Sequence, residues 1–523
     1  LERGDRYPPG QFPRSPLASS ANVWDPSIGL YGMFDIWSFR KFEAVVSSGL
    51  GGGSLIYANV LLRKPATWFS QPGPGGVAET WPVTAKDLDV PYRRAETMLG
   101  MTEYPHLETT DKTTAFRDAA SAADLDWKRA PLAVTFSPRP GAKPELGVAV
   151  GSPADNLHGV QRMTCRLCGE CDVGCNSGSK NSTDLTYLSR AEDTGNADIR
   201  HLHEVKRIEP VPGTGYRVHA VVHEPPVPRW QRSGERPPPR PVSFTATTVV
   251  LAAGALGTTY LLLRNRVNLP HLSPALGTRF SGNGDYLGFA KTDKDRPLQS
   301  SRGPVITSYV QGEGGRRSPT PGGGGFLIQD GGYPMLADWL GESLGLRPVK
   351  RATRVVWELL RARYTNSSRT GVSARLSEII GDARHTSTVL PMLGMGQDLP
   401  GGVMSLRDGY LTVSWQQKYS DPAFAPIRHT MRRVAEGLPG RFYDGPSTRL
   451  SRSISVHPLG GAPMGRTVQQ GVVDDYGEVF NYPGLFVADG SVLPGPVGVN
   501  PALTIAALAE RFSERILDKS RHG

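Results

Sequence analysis

Hydrophobic and polar positions change period several times along the chain. Over 199–210 (IRHLHEVKRIEP) and 215–224 (GYRVHAVVHE) they alternate, as in two strands joined in a hairpin. Over 83–100 and 113–124 apolar residues recur at helical spacing, the first stretch running from Thr84 through Asp87 to Met98. A helix-like stretch follows near 182–193, and a Pro/Arg-rich loop at 225–241 leads to the apolar strand Val249–Ala253, which meets Gly254 and runs into a helix. Further on, a Gly-rich loop at 322–325, helices around 336–364 and strands at 386–395 and 409–415 are expected. The chain closes with a short apolar strand ending at Asp489-Gly490, a Gly/Pro turn, and a helix from Ala502 to Ile516. Asn500 before Pro501 is a strong helix-start pair, because Asn caps the free amides and Pro lacks one at the first helical position.

These patterns imply an α/β plus α+β fold with two kinds of domain. A discontinuous nucleotide-binding domain is expected from 1–75, 155–290 and 446–523, and a sheet-and-helix substrate-binding domain from 76–154 and 291–445. The length of 523 residues allows both, each with its own core. A strand–Gly–helix turn such as Val249–Gly254 brings backbone amides close to a bound anion.

Charge and apolar runs exclude several classes. The excess of 59 basic over 49 acidic residues is modest for this length, and no basic stripe interleaved with aromatics suggests nucleic-acid binding. No apolar run reaches the ~18 residues that cross a bilayer. The stretch RPVKRATRVVWELLRAR (347–363) is basic and amphipathic, which suits a solvated helix face or peripheral contact with anionic lipid. The compartment, cytoplasmic or membrane-peripheral, is left open.

The start of the chain, Leu1-Glu2-Arg3-Gly4, places an acid where a ribose-gripping carboxylate would end a strand, with no glycine finger before it. The expectation is therefore a chain lacking roughly thirty residues of strand, glycine loop and helix at its start. Gly49, Gly51, Gly52, Gly53 and Ser54 form a Gly-rich turn that would let backbone approach a cofactor.

The chemistry concentrates at the end. His457, in HPLGG, is a titratable base of the kind needed to take a hydroxyl proton while hydride leaves the same carbon. Asn500 stands at the positive end of the closing helix, fit either to cap it or to hold a substrate oxygen beside His457. Asp489 is placed to accept from a ribityl hydroxyl or simply to close a strand.

All four cysteines, Cys165, Cys168, Cys171 and Cys175, fall within one short segment. The C-x2-C-x2-C-x3-C spacing matches a bacterial ferredoxin run, in which the fourth cysteine serves a second cluster. An iron–sulfur centre, a four-thiolate zinc site, a local disulfide and plain thiols are all compatible with that spacing.

The residues GLGGGSLIYANVLL (49–62), VVLAAGALGTTYLL (249–262), RFSGNGD (279–285) and, most specifically, HPLGG, VADGSVLPG and VGVNPALTIAALAER within 457–516 resemble the glucose-methanol-choline (GMC) oxidoreductase family, in its cholesterol oxidase branch. The resemblance implies a Rossmann-like FAD-binding domain, a small-molecule alcohol substrate of sterol-like or bulky secondary kind, and O2 or another electron acceptor. It makes His457 the base and Asn500 its partner on the substrate oxygen. Glu2, the 49–54 loop, Asn59, Ala253, Gly254, Asp489, Gly490, Asn500 and Pro501 would contact FAD. Asn59 in Tyr57-Ala58-Asn59 stands where the family often carries Asn-Gly, and Ala462 where a cysteine is frequent. Between 379 and 434 the only acids are Asp382, Asp398, Asp408 and Asp421, so the glutamate of oxidases that also shift a double bond is absent. The competing expectations are a flavin dehydrogenase passing electrons through a cysteine-bound cluster to an acceptor other than oxygen, and an inactive fragment.

Overall fold

The structure, a computed structural model, describes residues 1–14, 22–72, 78–224, 238–292, 298–312, 324–333, 388–415, 421–445 and 453–522. The basic stretch 347–363, the helices expected around 336–364 and most of the Pro/Arg-rich loop lie outside the described residues.

Two sheet systems organise the chain. The first is a six-stranded antiparallel sheet in the order Gly440–Asp444, Tyr286–Thr292, Val389–Gly396, Phe326–Asp330, Ser308–Gly312, Trp127–Arg129. In Tyr286–Thr292 buried and half-buried residues alternate, so this strand offers one face to a core. Phe326–Asp330 is buried at every position, as befits a central strand covered on both sides. The helices Asp111–Ala122 and Asp421–Gly437 join this sheet in one apolar cluster containing Phe116, Ile328, Met392, Ile427 and Met431. The strand Tyr286–Thr292 straddles the boundary expected at 290/291 and lies wholly inside this sheet.

The second system is made of smaller sheets. His203–Val211, Gly215–Val222 and Arg240–Ala246 form the expected meander, with a third strand added to the hairpin. Val249–Leu251 pairs in parallel with Leu485–Val487, two segments more than two hundred residues apart, so the middle and end of the chain share one sheet. The helix Gly254–Arg264 follows directly. The closing helix Ala502–His522 buries Leu503, Ala507, Leu508 and Phe512, a helical stripe, and its Thr504 hydroxyl lies 2.9 Å from Tyr92 of the helix Asp89–Met98. That second helix starts later than its apolar spacing predicts. Thr84 and Asp87 bond each other's backbone amides (2.8 and 3.3 Å) and close a separate turn ahead of it. No helix among the described residues is long and apolar enough to cross a membrane.

Candidate active site

One five-residue segment, Ser281-Gly282-Asn283-Gly284-Asp285, ties the histidine loop to the start of the closing helix. It leads into the strand Tyr286–Thr292. Asn283 and Gly284 both adopt left-handed backbone (φ 58° and 66°), and a Cβ at Gly284 would stand 2.5 Å from the Gly396 carbonyl oxygen. The sharp turn is thus possible only with residues that tolerate this region.

Asp285 is almost fully buried and faces the histidine loop. Its Oδ1 accepts from His457 Nδ1 at 2.7 Å. Its Oδ2 accepts from the amides of Val456 (2.9 Å) and His457 (3.1 Å). The carboxylate therefore fixes both the ring and the backbone that carries it. With Nδ1 donating, a neutral imidazole leaves Nε2 as the acceptor, and Nε2 has no partner among the described residues.

Asn283 does the same for the other half. Its Oδ1 accepts from Val497 and Gly498 (2.9 and 2.8 Å), and its Nδ2 donates to the Val499 carbonyl at 2.9 Å. Buried Lys64 donates to the Pro496 carbonyl at 2.7 Å, with its ammonium over the Trp81 ring. The Gly/Pro turn before Asn500 is thus held from two sides. Asn500 itself does not spend its side chain on the helix start: its amide pairs with that of Gln329, Gln329 Nε2 donating to Asn500 Oδ1 at 2.6 Å. Both amides are buried.

A second carboxyl lies behind this group. Asp398 accepts from Ser281 Oγ and from the Gly282 amide (2.9 Å). Burial pushes it up to about 7, negative Asp285 adds to the shift, and the Ser281, Gly282 and Gly284 donors oppose it. Its neighbour Gln397 is buried with both side-chain amide atoms unpartnered among the described residues.

The residues assigned to the cofactor divide into two sets. Asp489 is saturated: Oδ1 accepts from Ser491 N (2.8 Å) and Ser491 Oγ (2.6 Å), Oδ2 from Gly254 N (3.0 Å) and Thr258 Oγ1 (2.5 Å). The anion at the start of the helix Gly254–Arg264 is therefore the protein's own Asp489, where the sequence suggested a bound one. Ser54 is likewise occupied, bonding the Gly51 carbonyl and Thr183. Glu2 accepts from the Gly4 amide at 2.7 Å and runs beside Arg200–His203, and burial raises its carboxyl above the usual range. The first residues pass close enough to the Gly-rich turn that a Cβ at Gly4 would stand 2.3 Å from the Gly49 nitrogen.

Other positions face open space. A Cβ at Gly52, Gly53 or Gly254 would meet no atom within 4 Å. Asn59, fully buried in left-handed backbone (φ 68°), has no partner for either side-chain amide atom among the described residues. Ala253 precedes the helix Gly254–Arg264, Gly490 opens the turn Gly490–Val492, and Pro501 precedes the closing helix Ala502–His522.

The four cysteines are free, so no local disulfide forms. They line one cavity together with Gly169, Lys180, Gly303 and Pro304. Among the described residues no three His, Cys, Asp or Glu side chains close on a point from which one metal ion could be held, so the four-thiolate zinc alternative is not formed. Unlike the fourth cysteine of a ferredoxin run, Cys175 faces the same cavity as the other three, brought back by the turn Cys171–Val173 and Gly174 (φ 88°).

Asp285, Asn283, Gln329, Gln397 and Asp398 were not among the residues assigned from sequence. Two signals pointed to them: the Gly-flanked Asn and Asp of SGNGD, and the polar Gln329 inside the apolar run FLIQD.

Family profiles described as GMC oxidoreductase match residues 139–282 and 425–509. A cholesterol oxidase of Mycobacterium tuberculosis is 30% identical over 530 residues, covering 98% of this chain and 85% of that protein. A cholesterol oxidase of Acinetobacter baumannii is 27% identical, covering 98% and 88%. A long-chain-alcohol oxidase of Arabidopsis thaliana is 26% identical over 67% of this chain and 46% of its own length. Among solved structures, pyridoxine 4-oxidase from Mesorbium loti superposes with a TM-score of 0.56 over 98% of this chain and 93% of its own, at 14% identity, a likeness of fold. By these matches the chain belongs to the GMC oxidoreductase family.

Proposed function

We propose that this protein oxidises a bulky, apolar alcohol to its carbonyl compound with FAD, a sterol-like secondary alcohol being the first candidate. The observation that carries the reading is that one segment, Ser281–Asp285, holds both the His457 loop, through Asp285 at 2.7 Å, and the turn that leads to Asn500, through Asn283, while the Asn500 amide pairs with Gln329 of the six-stranded sheet. Members of the GMC family bind FAD. The residues here fit that group: open space fronts Gly52, Gly53 and Gly254, and the buried Asn59 amide lacks partners. Bound FAD would supply the acceptor for the hydride of the alcohol carbon.

The chain's own residues do the rest. Asp285 holds the Nδ1 proton, so Nε2 of His457 is the atom that takes the hydroxyl proton. Asn500, oriented by Gln329, gives its amide to the same oxygen. The N-terminal end of the closing helix adds partial positive charge where negative charge gathers. Sterol and long-chain alcohols are favoured because they are what the names of the relatives specify.

The test is His457→Ala, with flavin content measured by absorbance alongside turnover on a panel of sterols and long-chain alcohols, using oxygen and an artificial dye in parallel. Turnover is expected to fall by about 10²-fold or more while flavin stays bound. Near-normal turnover in that variant would sink the assignment.

A further inference from the structure

The four cysteines take no part in the chemistry above, yet their surroundings are built. Three of the sulfurs have an amide aimed at them, and the fourth has a hydroxyl beside it. The amide of Leu167 reaches Cys165 Sγ at 3.4 Å, the amides of Glu170 and Val305 are directed at Cys168 and Cys171, and Ser179 Oγ lies 3.3 Å from Cys175 Sγ. Two of these bonds run from residue i to the amide of i+2, which requires a tight turn after each cysteine. Left-handed Leu167 (φ 57°) and Gly169 (φ 70°) provide it. A Cβ at Gly169 would stand 2.2 Å from the Ser301 carbonyl oxygen, so the loop carrying Gly303 is clamped against the cysteine turn, and Gly303 N donates to Leu167 O at 3.0 Å.

Beneath the cavity sits Lys180, only 2% exposed. Its ammonium donates to the carbonyls of Leu55 (3.0 Å), Tyr57 (2.7 Å) and Cys171 (2.7 Å), and among the described residues no carboxylate stands at ion-pair distance. Asp172 and Asp184 act on it only from beyond that distance, and a cation buried among carbonyls is costly unless an anion lies directly beside it. Four neutral thiols supply no such charge, and they need no ring of amide donors. A thiolate-ligated iron–sulfur cluster supplies both reasons: it is anionic, and N–H···S bonds stabilise it.

A single ion needs its sulfurs about 2.3 Å from one point, and these cysteines do not converge that closely. A cubane cluster binds each thiolate through a different iron, so its four ligands stand apart around a cavity. We infer that Cys165, Cys168, Cys171 and Cys175 together ligate one [4Fe–4S] cluster, with Lys180 as its buried counter-charge. Because Lys180 also holds the carbonyls of Leu55 and Tyr57, the cluster would abut the segment that follows the Gly51–Gly53 turn. The inference rests on these residues alone and is independent of the alcohol-oxidation reading.

The test uses the full chain, purified without oxygen and, in a second sample, reconstituted anaerobically with ferrous iron and sulfide. About four irons and four acid-labile sulfides per chain are expected, with an EPR signal after dithionite reduction. Cys171→Ser is expected to cut bound iron sharply while flavin content holds. Should that variant fail to fold, alkylation of the unmodified protein serves instead: the four thiols resist iodoacetamide until a chelator and oxidant remove the iron. Absence of iron and sulfide from both samples, stoichiometric zinc, or four thiols freely alkylated before iron removal would each overturn the inference.

Discussion

The helix start at Gly254 and the turn at Gly51–Gly53 each present backbone to open space, but the polar side chains next to them are in opposite states. Asp489, at the first, accepts four hydrogen bonds from Gly254, Thr258 and Ser491. Asn59, just past the second, is equally buried and accepts or donates none among the described residues. Burying an amide without partners costs on the order of 1–3 kcal/mol, so an unpartnered one persists where something else completes it. A saturated carboxylate has no capacity left to offer. Two residues that both look like cofactor contacts are thus separable: one is a scaffold strut that joins the parallel strands to the following helix, the other an open socket.

The largest expected effect lies on the strut. Asp489→Ala strands two amides and two hydroxyls that the carboxylate now satisfies. At roughly 1 kcal/mol each, about 4 kcal/mol of stability should go, read as a fall in the urea midpoint of the flavin-free protein. If the flavin-free variant unfolds at the parent's midpoint and only flavin affinity drops, Asp489 is a contact after all and the distinction fails.

The same division explains what the sequence disclosed. His457 and Asn500 were legible because each sits in a local pattern, a His-Pro-Leu-Gly-Gly loop and an Asn-Pro helix start, whose meaning needs no distant partner. Their supports were not, because Asp285 and Gln329 lie 172 and 171 residues from the groups they hold. No local period encodes such a pairing. Asp489 was located correctly as a strand-closing acid, but its alternatives differ only in what faces the carboxylate, which depends on the helix at 254–264 folding back onto it. The meander was legible from alternation, whereas membership of Tyr286–Thr292 in the six-stranded sheet was not, since its partners begin at 389 and 440.

A middle-sized effect sharpens the comparison from the catalytic side. Asp398, like Asp489, is a buried carboxyl with several donors that burial raises, and with a negative neighbour in Asp285 besides it is pushed up to about 7 from 3.8. A raised acid is protonated in the folded state over a range where the unfolded chain has lost its proton. Its contribution to stability is therefore complete below 3.8 and disappears as pH climbs through about 7. The melting temperature should decline across that window, and Asp398→Asn should flatten the decline. An unchanged slope in the variant would mean that Asp398 is ionised throughout, as its Ser281, Gly282 and Gly284 donors would favour.

The smallest effect is the most discriminating, because its sign differs between the two forms of the protein. Asn59 occupies left-handed backbone (φ 68°), where alanine is strained and glycine is not, so the substitution to make is Asn59→Gly. In the flavin-free protein this removes a desolvated amide that bonds to nothing, which offsets the entropy that glycine adds to the unfolded chain, and the urea midpoint should barely move. In the loaded protein it removes a hydrogen-bonding group from the cofactor's side, and flavin affinity should weaken by about 1 kcal/mol, roughly fivefold, by fluorescence titration. A strut behaves the other way round, losing stability first and affinity only as a consequence. Should Asn59→Gly unfold early without flavin and bind flavin as tightly as the parent, the socket at Asn59 would have to be reassigned to the scaffold, and the open space before Gly52 and Gly53 would stand alone as the mark of the cofactor's path.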